Sequence, residues 1–345
     1  MRIAIDAMGG DHGPGSVIDG ALVAARHLQI GLLLVGARAV VESELRRHPG
    51  AAALDIETLD APEWVEMAEP AAVALRRKPR ASIRVAADAV RSGRADALFS
   101  AGHTGASVIA AHAAFGRMPG VDRPALATIV PTRQRPAVML DCGATVECRP
   151  QHLVQFALLG SAYARLALGC ESPRVGLLSV GEEESKGNEL TREAHQLLKS
   201  APVRFIGNVE GRDVYAGGTD VIVCDGFTGN IVLKLLEGTI KTILDALRAE
   251  VLATPRGKLG AFLIRPAARR LRTKFDPDTY GGAYLLGLRG LSVIAHGNSS
   301  RTAIANAIRL AARGVEHDVV GRLASRLPAS SRTGAGQSPA PAGTS

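Results

Sequence analysis

VGLLSVGEEESKGNEL, residues 175–190, is an apolar strand that empties into a loop ending in Lys186, Gly187 and Asn188. Strand, glycine loop, then helix is the order in which α/β proteins hold anions. Loop amides and the helix's first N–H groups point at the ligand, and the helix dipole favours negative charge there. The lysine adds a mobile point charge. VIVCDGFTGNIVLKLLEG, residues 221–238, repeats the order. Two such segments on one chain indicate a polar crevice at strand ends, where open α/β sheets bind ligands.

Apolar runs alternate with helical patterns outward from these segments. The pattern predicts strands at 2–6, 31–35, 97–100, 125–130, 137–141, 175–180, 221–225 and 292–295. Helices are expected at 16–28, 40–48, 81–92, 105–115, 150–168, 188–200, 229–252 and 300–313. Such βα alternation predicts an open, mostly parallel sheet with helices on both faces. A single large α/β catalytic domain is expected over residues 1–327. Residues 328–345 collapse into Ser, Ala, Gly, Pro and Thr and are expected to be a disordered tail.

With 345 residues and 46% hydrophobic composition, the chain can bury a large core without staples. Aromatics are only 3%, which disfavours stacking platforms for single-stranded nucleic acid. The cysteines, Cys142, Cys148, Cys170 and Cys224, show neither CxxC nor zinc-ligand spacing, and a reducing cytoplasm is the natural reading. Asp6 interrupts the first apolar run, so no secretory leader is expected, and no stretch reaches the roughly 18 apolar residues of a membrane span. The expected protein is soluble, touching a membrane at most from one side.

Nucleotide motifs are missing. No GxGxxG opens a helix, and Glu182 and Glu183 stand where a P-loop needs Lys and Ser or Thr. Five loops are expected to gather at one sheet edge: 6–11 (DAMGGD), 100–105 (SAGHTG), 141–145 (DCGAT), 179–188 and 225–230 (DGFTGN). They supply amides, short hydroxyls, a lysine and carboxylates, but no Ser-His-Asp or Cys-His arrangement. The chemistry they suit is positioning and electrostatic stabilisation.

Single residues in these loops have bland readings too. Lys186 is either a surface lysine or an anion ligand, and its flanking glycine and helix start favour the ligand. Asn230 is read as a cap for a helix beginning at Ile231, an oxyanion donor, or both. Glu182, Glu183 and Glu184 read as a solvated acidic turn or ion pairs. His103 reads as a local hydrogen-bonding group rather than a base, and Thr104, Thr228 and Ser300 as caps or phosphate-touching hydroxyls. Asp6, Asp141 and Asp225 read as groups that orient loop amides and basic side chains.

The net charge of +8 is uneven. Arg256, Lys258, Arg265, Arg269, Arg270, Arg272 and Lys274 crowd residues 251–275 with no acid among them. Within it, GKLGAFLIRP at 257–266 reads as a short apolar knuckle ringed by basic residues. One reading is an interfacial anchor, each basic residue contributing about 1 kcal/mol on an anionic leaflet. The other is a helical hairpin packed on a sister subunit.

At these motifs the chain resembles the bacterial phosphate acyltransferase family, the acyl-ACP:phosphate transacylases of phospholipid synthesis. Further matching stretches are PGVDRPALAT (119–128), LDCGATVECRPQHLVQFA (140–157), FIGNVEGRD (205–213) and YGGAYLLGLRG (280–290). The resemblance implies a three-layer α/β/α fold similar to isocitrate and isopropylmalate dehydrogenases and related to phosphotransacetylases, as a homodimer. It implies transfer of a fatty acyl group from acyl carrier protein to inorganic phosphate, a product then used by a membrane glycerol-3-phosphate acyltransferase. Carried over by position, Lys186 and Asn230 are the essential catalytic pair. His103, Thr104, Gly187, Asn188, Asp225, Thr228 and Gly229 are the accompanying substrate-binding candidates. Lys258, Leu259, Phe262, Leu263, Ile264 and Arg265 resemble a membrane-contacting hairpin on a cytoplasmic, peripherally attached enzyme. The motifs call for no cofactor, metal or nucleic acid. Family members usually carry asparagine where this chain has His103 and Thr145. The rival functions are a phosphotransacetylase acting on acyl-CoA, a nicotinamide-dependent dehydrogenase and a non-catalytic membrane adaptor.

Overall fold

Along β1 (Arg2–Asp6) successive side chains enter different cores. Ile3 and Ile5 join one buried cluster and Ala4 the other. β2 (Gly31–Gly36) repeats the division, with Leu32 and Leu34 on one side and Leu33 and Val35 on the other. Strands buried on both faces read as unbroken apolar runs, which is why these segments lack polar alternation. The computed structural model describes residues 1–275 and 281–327; the tail expected at 328–345 lies outside them.

The remaining strands are β3 (Ile56–Asp60), β4 (Ala97–Ser100), β5 (Ala125–Val130), β6 (Ala137–Leu140), β7 (Arg174–Leu178), β8 (Arg204–Val209), β9 (Val221–Val223), β10 (Ala283–Leu286) and β11 (Leu291–Ile294). They form an 11-stranded sheet in the order β3-β2-β1-β4-β11-β10-β5-β6-β9-β7-β8. β3, β8 and β10 are additions to the sequence reading. β3 and β8 are the sheet's edges and are only partly buried, so their apolar signal is weak.

One face carries α1 (Gly13–Leu28), α6 (Pro150–Leu168), α7 (Glu189–Ser200), α10 (Arg301–Glu316) and α11 (Val319–Arg326). The other carries α3 (Ala71–Arg77), α4 (Ser82–Arg91), α5 (Thr104–Phe115) and the inner side of α8 (Gly226–Leu252). α2 (Arg38–Arg46) packs beside α1. This is the three-layer α/β/α architecture the sequence predicts. Phe99, Phe156, Leu140 and Met139 are completely enclosed, each contributing roughly 1.5–3 kcal/mol through burial.

Strand direction reverses in the middle of the sheet. β10 is antiparallel to both β11 and β5, and β5 is antiparallel to β6. β1, β2, β3, β4 and β11 therefore run one way, and β6, β7, β8 and β9 the other. This overturns the expectation of five loops at one edge. Loops 6–11 and 100–105 leave one edge, while 141–145, 179–188 and 225–230 leave the opposite one.

α8 continues through a tight turn into α9 (Pro255–Phe275), and the two pack as a helical hairpin. The apolar stretch 257–266 is helical and forms the first half of α9, directly after the turn, with Pro266 accommodated within the helix.

Candidate active site

β9 lies between β6 and β7, so the loops after these three strands stand side by side. The first is built around Asp141, which is fully buried. Its Oδ1 accepts the N–H groups of Leu126 (2.8 Å), Gly143 (3.0 Å) and Ala144 (2.9 Å). Its Oδ2 accepts Thr145 N–H at 2.6 Å. Burial raises its pKa to about 6 against the opposing pull of those four amides. Thr145 also donates its hydroxyl to the Pro124 carbonyl at 3.0 Å. Asp141 thus fastens its loop, as expected of a group that orients amides.

The second loop runs directly into α8. Asp225 is the N-cap, accepting Thr228 N–H at 2.8 Å and the Thr228 hydroxyl at 2.7 Å. That corrects the reading of Asn230 as a cap. The helix begins at Gly226, five residues before Ile231, because Asp followed by Thr three positions on closes the first turn. Asn230 is free of that duty and half-buried, and its side chain lies over Gly143. A Cβ built on Gly143 would stand 3.7 Å from Asn230 Cβ. Gly229 allows this approach, since any side chain there would overlap the Asp141 carbonyl oxygen.

The third loop carries Lys186. Asn188 caps α7, its Oδ1 accepting Thr191 N–H at 2.9 Å, and Gly187 takes a φ of +99° just before it. The Lys186 stem crosses Gly181, whose Cβ would meet Lys186 Cγ at 2.8 Å. Glu182 pairs with Arg212 at 3.4 Å and Glu184 with Lys199 at 2.5 Å, so two of the three glutamates form ion pairs. Lys186 is exposed and its ammonium makes no ion pair or hydrogen bond among the described residues. Lys186, Gly187 and Asn188 follow β7, and Asp225, Thr228, Gly229 and Asn230 follow its parallel neighbour β9, so both groups leave the same edge of the sheet.

No cysteine here is a ready nucleophile. Cys142 and Cys224 are buried, and burial pushes both thiols far up. Cys148 is pushed to about 12 by the same cause. Among the described residues no group of three or more His, Cys, Asp and Glu side chains is placed to hold a metal ion.

His103 and Thr104 sit at the other edge. His103 caps α5, its Nδ1 accepting Ala106 N–H at 3.4 Å, which is work an asparagine would also do. Beside it, buried Asp6 accepts the hydroxyls of Ser82 (2.6 Å) and Ser100 (2.7 Å), and burial raises its pKa. Asp6 therefore orients hydroxyls rather than basic side chains. α8 spans the gap between the groups: Glu237 lies 3.5 Å from His296, just after β11.

The comparisons with known proteins identify the chain. The family described as "Fatty acid synthesis protein" matches residues 1–322. A phosphate acyltransferase of Heliobacterium modesticaldum is 47% identical over 328 residues, covering 95% of this chain and 98% of that protein. One from Nostoc punctiforme is 46% identical, covering 94% and 96%. The chain belongs to the phosphate acyltransferase family. It is therefore an enzyme of the acyltransferase class. The family's fold extends to distant proteins. A phosphotransacetylase of Streptococcus pyogenes superposes with a TM-score of 0.60 at 19% identity, covering 92% of this chain and 94% of that one. A branched-chain phosphotransacylase from Enterococcus faecalis gives 0.56 at 12% identity, covering 92% and 99%.

The sequence reading missed Gly181 and Asn208. Gly181 seats the Lys186 stem, and Asn208 bonds beneath the same loop. The pair Gly207–Asn208, a glycine followed by an amide inside an apolar strand, was the available signal.

Proposed function

We propose that the chain transfers a fatty acyl group from acyl carrier protein to inorganic phosphate, in the service of phospholipid synthesis. A phosphate oxygen attacks the thioester carbonyl carbon and a tetrahedral oxyanion forms. The C–S bond then breaks, releasing acyl phosphate and a thiolate that takes up a proton. Phosphate is itself the nucleophile and a thiolate leaves readily, so no acyl-enzyme is required. Lys186, with the amides near Gly187 and Asn188, holds phosphate. The Asn230 side-chain amide receives the oxyanion, the N–H groups of Gly226, Thr228 and Gly229 being donated already to the Thr145 carbonyl, Asp225 Oδ1 and the Asp225 carbonyl. His103 and Thr104 contact substrate only if it extends across α8.

The observation that carries this reading is an unpaired lysine and an uncommitted amide on neighbouring loops, with every nearby thiol held protonated. The acidic carrier would be steered by the basic residues. Lys258, Leu259, Phe262, Leu263, Ile264 and Arg265 are all exposed on α9, which suits a membrane surface, and the hairpin's apolar faces suit a second copy of the chain. Among the described residues no helix is long and apolar enough to cross a membrane. Attachment on this reading is peripheral and cytoplasmic, delivering product to a membrane glycerol-3-phosphate acyltransferase.

The test supplies the full chain with long-chain acyl-ACP and phosphate and traps acyl phosphate with hydroxylamine. Lys186→Ala and Asn230→Ala should fold normally and each lose about a hundred- to a thousandfold in turnover. Near-normal turnover in both, or an acylated enzyme on the reaction path, refutes the assignment. Activity with acyl-CoA alone would transfer it to the phosphotransacetylase class.

A further inference from the structure

β7 and β8 are out of step by one residue. Val175 pairs with Phe205 and Leu177 with Asn208, so Ile206 and Gly207 oppose the single residue Gly176. This is a β-bulge, with Gly207 at φ +99°. In a regular strand Phe205 and Asn208, three positions apart, would face opposite ways. The bulge returns both to the face covered by α7. There Phe205 meets buried His195 edge-on, centroids 5.0 Å apart, and Asn208 Oδ1 lies 2.8 Å from His195 Nδ1. Asn208 is 93% buried, and its Nδ2 donates to the Glu183 carbonyl at 2.9 Å. The same carbonyl accepts the Lys186 backbone N–H at 3.0 Å.

The hydrogen bonds fix one another. Because Asn208 Nδ2 must donate to a carbonyl, its Oδ1 faces His195 and can only accept. His195 therefore carries its proton on Nδ1, and Nε2 points towards Glu184 Oε1 at 3.6 Å. One buried amide thus ties the turn that presents Lys186 to the histidine of α7. Removing that donor frees the Glu183 carbonyl, and the base of the 183–186 turn, to rotate.

We propose that Asn208, oriented by His195, is a positioning residue for the phosphate-holding lysine: the bulge, the amide and the imidazole set the Lys186 turn before phosphate arrives. This rests on Lys186 holding phosphate. Pre-set geometry lowers the ordering cost of binding, so its loss should appear first in the phosphate KM.

The experiment measures acyl-phosphate formation by the full chain while phosphate and acyl donor are varied separately, with amide hydrogen exchange at Lys186 read in parallel. Asn208→Asp keeps an acceptor for His195 and removes the donor to Glu183. It should raise the phosphate KM about five- to tenfold, the worth of one anchoring hydrogen bond. It should leave the acyl-donor KM within about twofold and speed exchange of the Lys186 amide. His195→Asn, whose amide nitrogen stands where Nδ1 does and can still donate to Asn208, should resemble the wild type, whereas His195→Leu should resemble Asn208→Asp. This pair carries the test if Asn208→Asp does not fold. Equal changes in both KM values, or His195→Asn and His195→Leu behaving alike, overturn the proposal. Lys186→Ala serves as the control. If it retains full turnover, the phosphate-holding role fails; if it is inactive while Asn208→Asp is normal, only the positioning role fails.

Discussion

Gly229→Ala tests the packing that delivers Asn230. Gly229 lies in the first turn of α8, pressed on the chain leaving β6. A methyl group there would overlap the Asp141 carbonyl oxygen and stand 2.9 Å from its carbon and 2.8 Å from Cys224 Sγ. Ordinary carbon contacts need about 3.5–4.0 Å, and none of these atoms can swing aside. Asp141 is held by four backbone amides, and Cys224 is buried at the end of β9. The start of α8 must therefore lift by roughly 1 Å. Overpacking of this kind costs about 1–3 kcal/mol. Asn230, the next residue, moves with the backbone, and a displacement of about 1 Å at a reacting group costs about a hundredfold in rate. The assay pairs thermal unfolding by circular dichroism with hydroxylamine-trapped acyl phosphate. Gly238→Ala is the control, because the same helix leaves open space around that position. It should gain up to about 1 kcal/mol from helix propensity and keep full turnover. If Gly229→Ala melts and turns over like the wild type, the contact between α8 and the Asp141 loop is not what fixes Asn230.

Gly181→Val should displace the Lys186 stem and raise the phosphate KM severalfold while the melting temperature falls little; unchanged phosphate dependence would contradict the seat described for Lys186. Asp220 is held below the usual carboxylate range chiefly by its hydrogen bonds with Arg174, at 2.9 and 3.1 Å. Its stabilisation is therefore present above the ordinary value near 3.8 and lost as pH falls through the lowered one. Asp220→Asn should cost about 1.5–3 kcal/mol at pH 7 and much less in strong acid, measured by denaturant unfolding at both pH values. Raising salt should increase the KM for acyl carrier protein more than that for acyl-CoA, and equal responses would count against electrostatic docking.

Much of the fold was legible. The apolar runs from Ile3, Leu32, Leu98 and Val175 are strands because both faces of the sheet are covered, and periodicity alone finds them. The reversal at the centre was missed, although two of its three antiparallel pairings are written in short connections. Residues 131–136 join β5 to β6, and 287–290 join β10 to β11. A parallel crossover needs a dozen or more residues, so both had to be antiparallel hairpins; two reversals alone would restore the direction, and the third, the pairing of β10 with the sequence-distant β5, splits the loops between two edges. At the site, the glycine–lysine loop and the DGFTGN turn were readable from residue type, but the cap was placed five residues late because Asn230 was weighed without Asp225. The bulge in β8 left only Gly207 as a trace. Its consequence, Phe205 and Asn208 on one face, depends on a pairing register that no local pattern encodes.

The contrast in how the site's groups are held bears on mechanism. Asp141, Asp225 and Asn188 spend their acceptors on backbone amides, so the frames of all three loops are rigid. Lys186 and Asn230 use their side chains for nothing internal. A general base would need a partner to tune and orient it, as a histidine needs a carboxylate, and among the described residues neither side chain has a hydrogen-bond or ion-pair partner. An anion ligand needs the opposite: a charge left unneutralised until phosphate arrives, and a donor left unpaired until the oxyanion forms. Preorganised donors of that kind stabilise developing charge without rearranging during the reaction. Rigid frames carrying uncommitted donors suit the direct attack by phosphate proposed above better than a route through a covalent enzyme intermediate, for which the protonated thiols nearby are chemically unsuited.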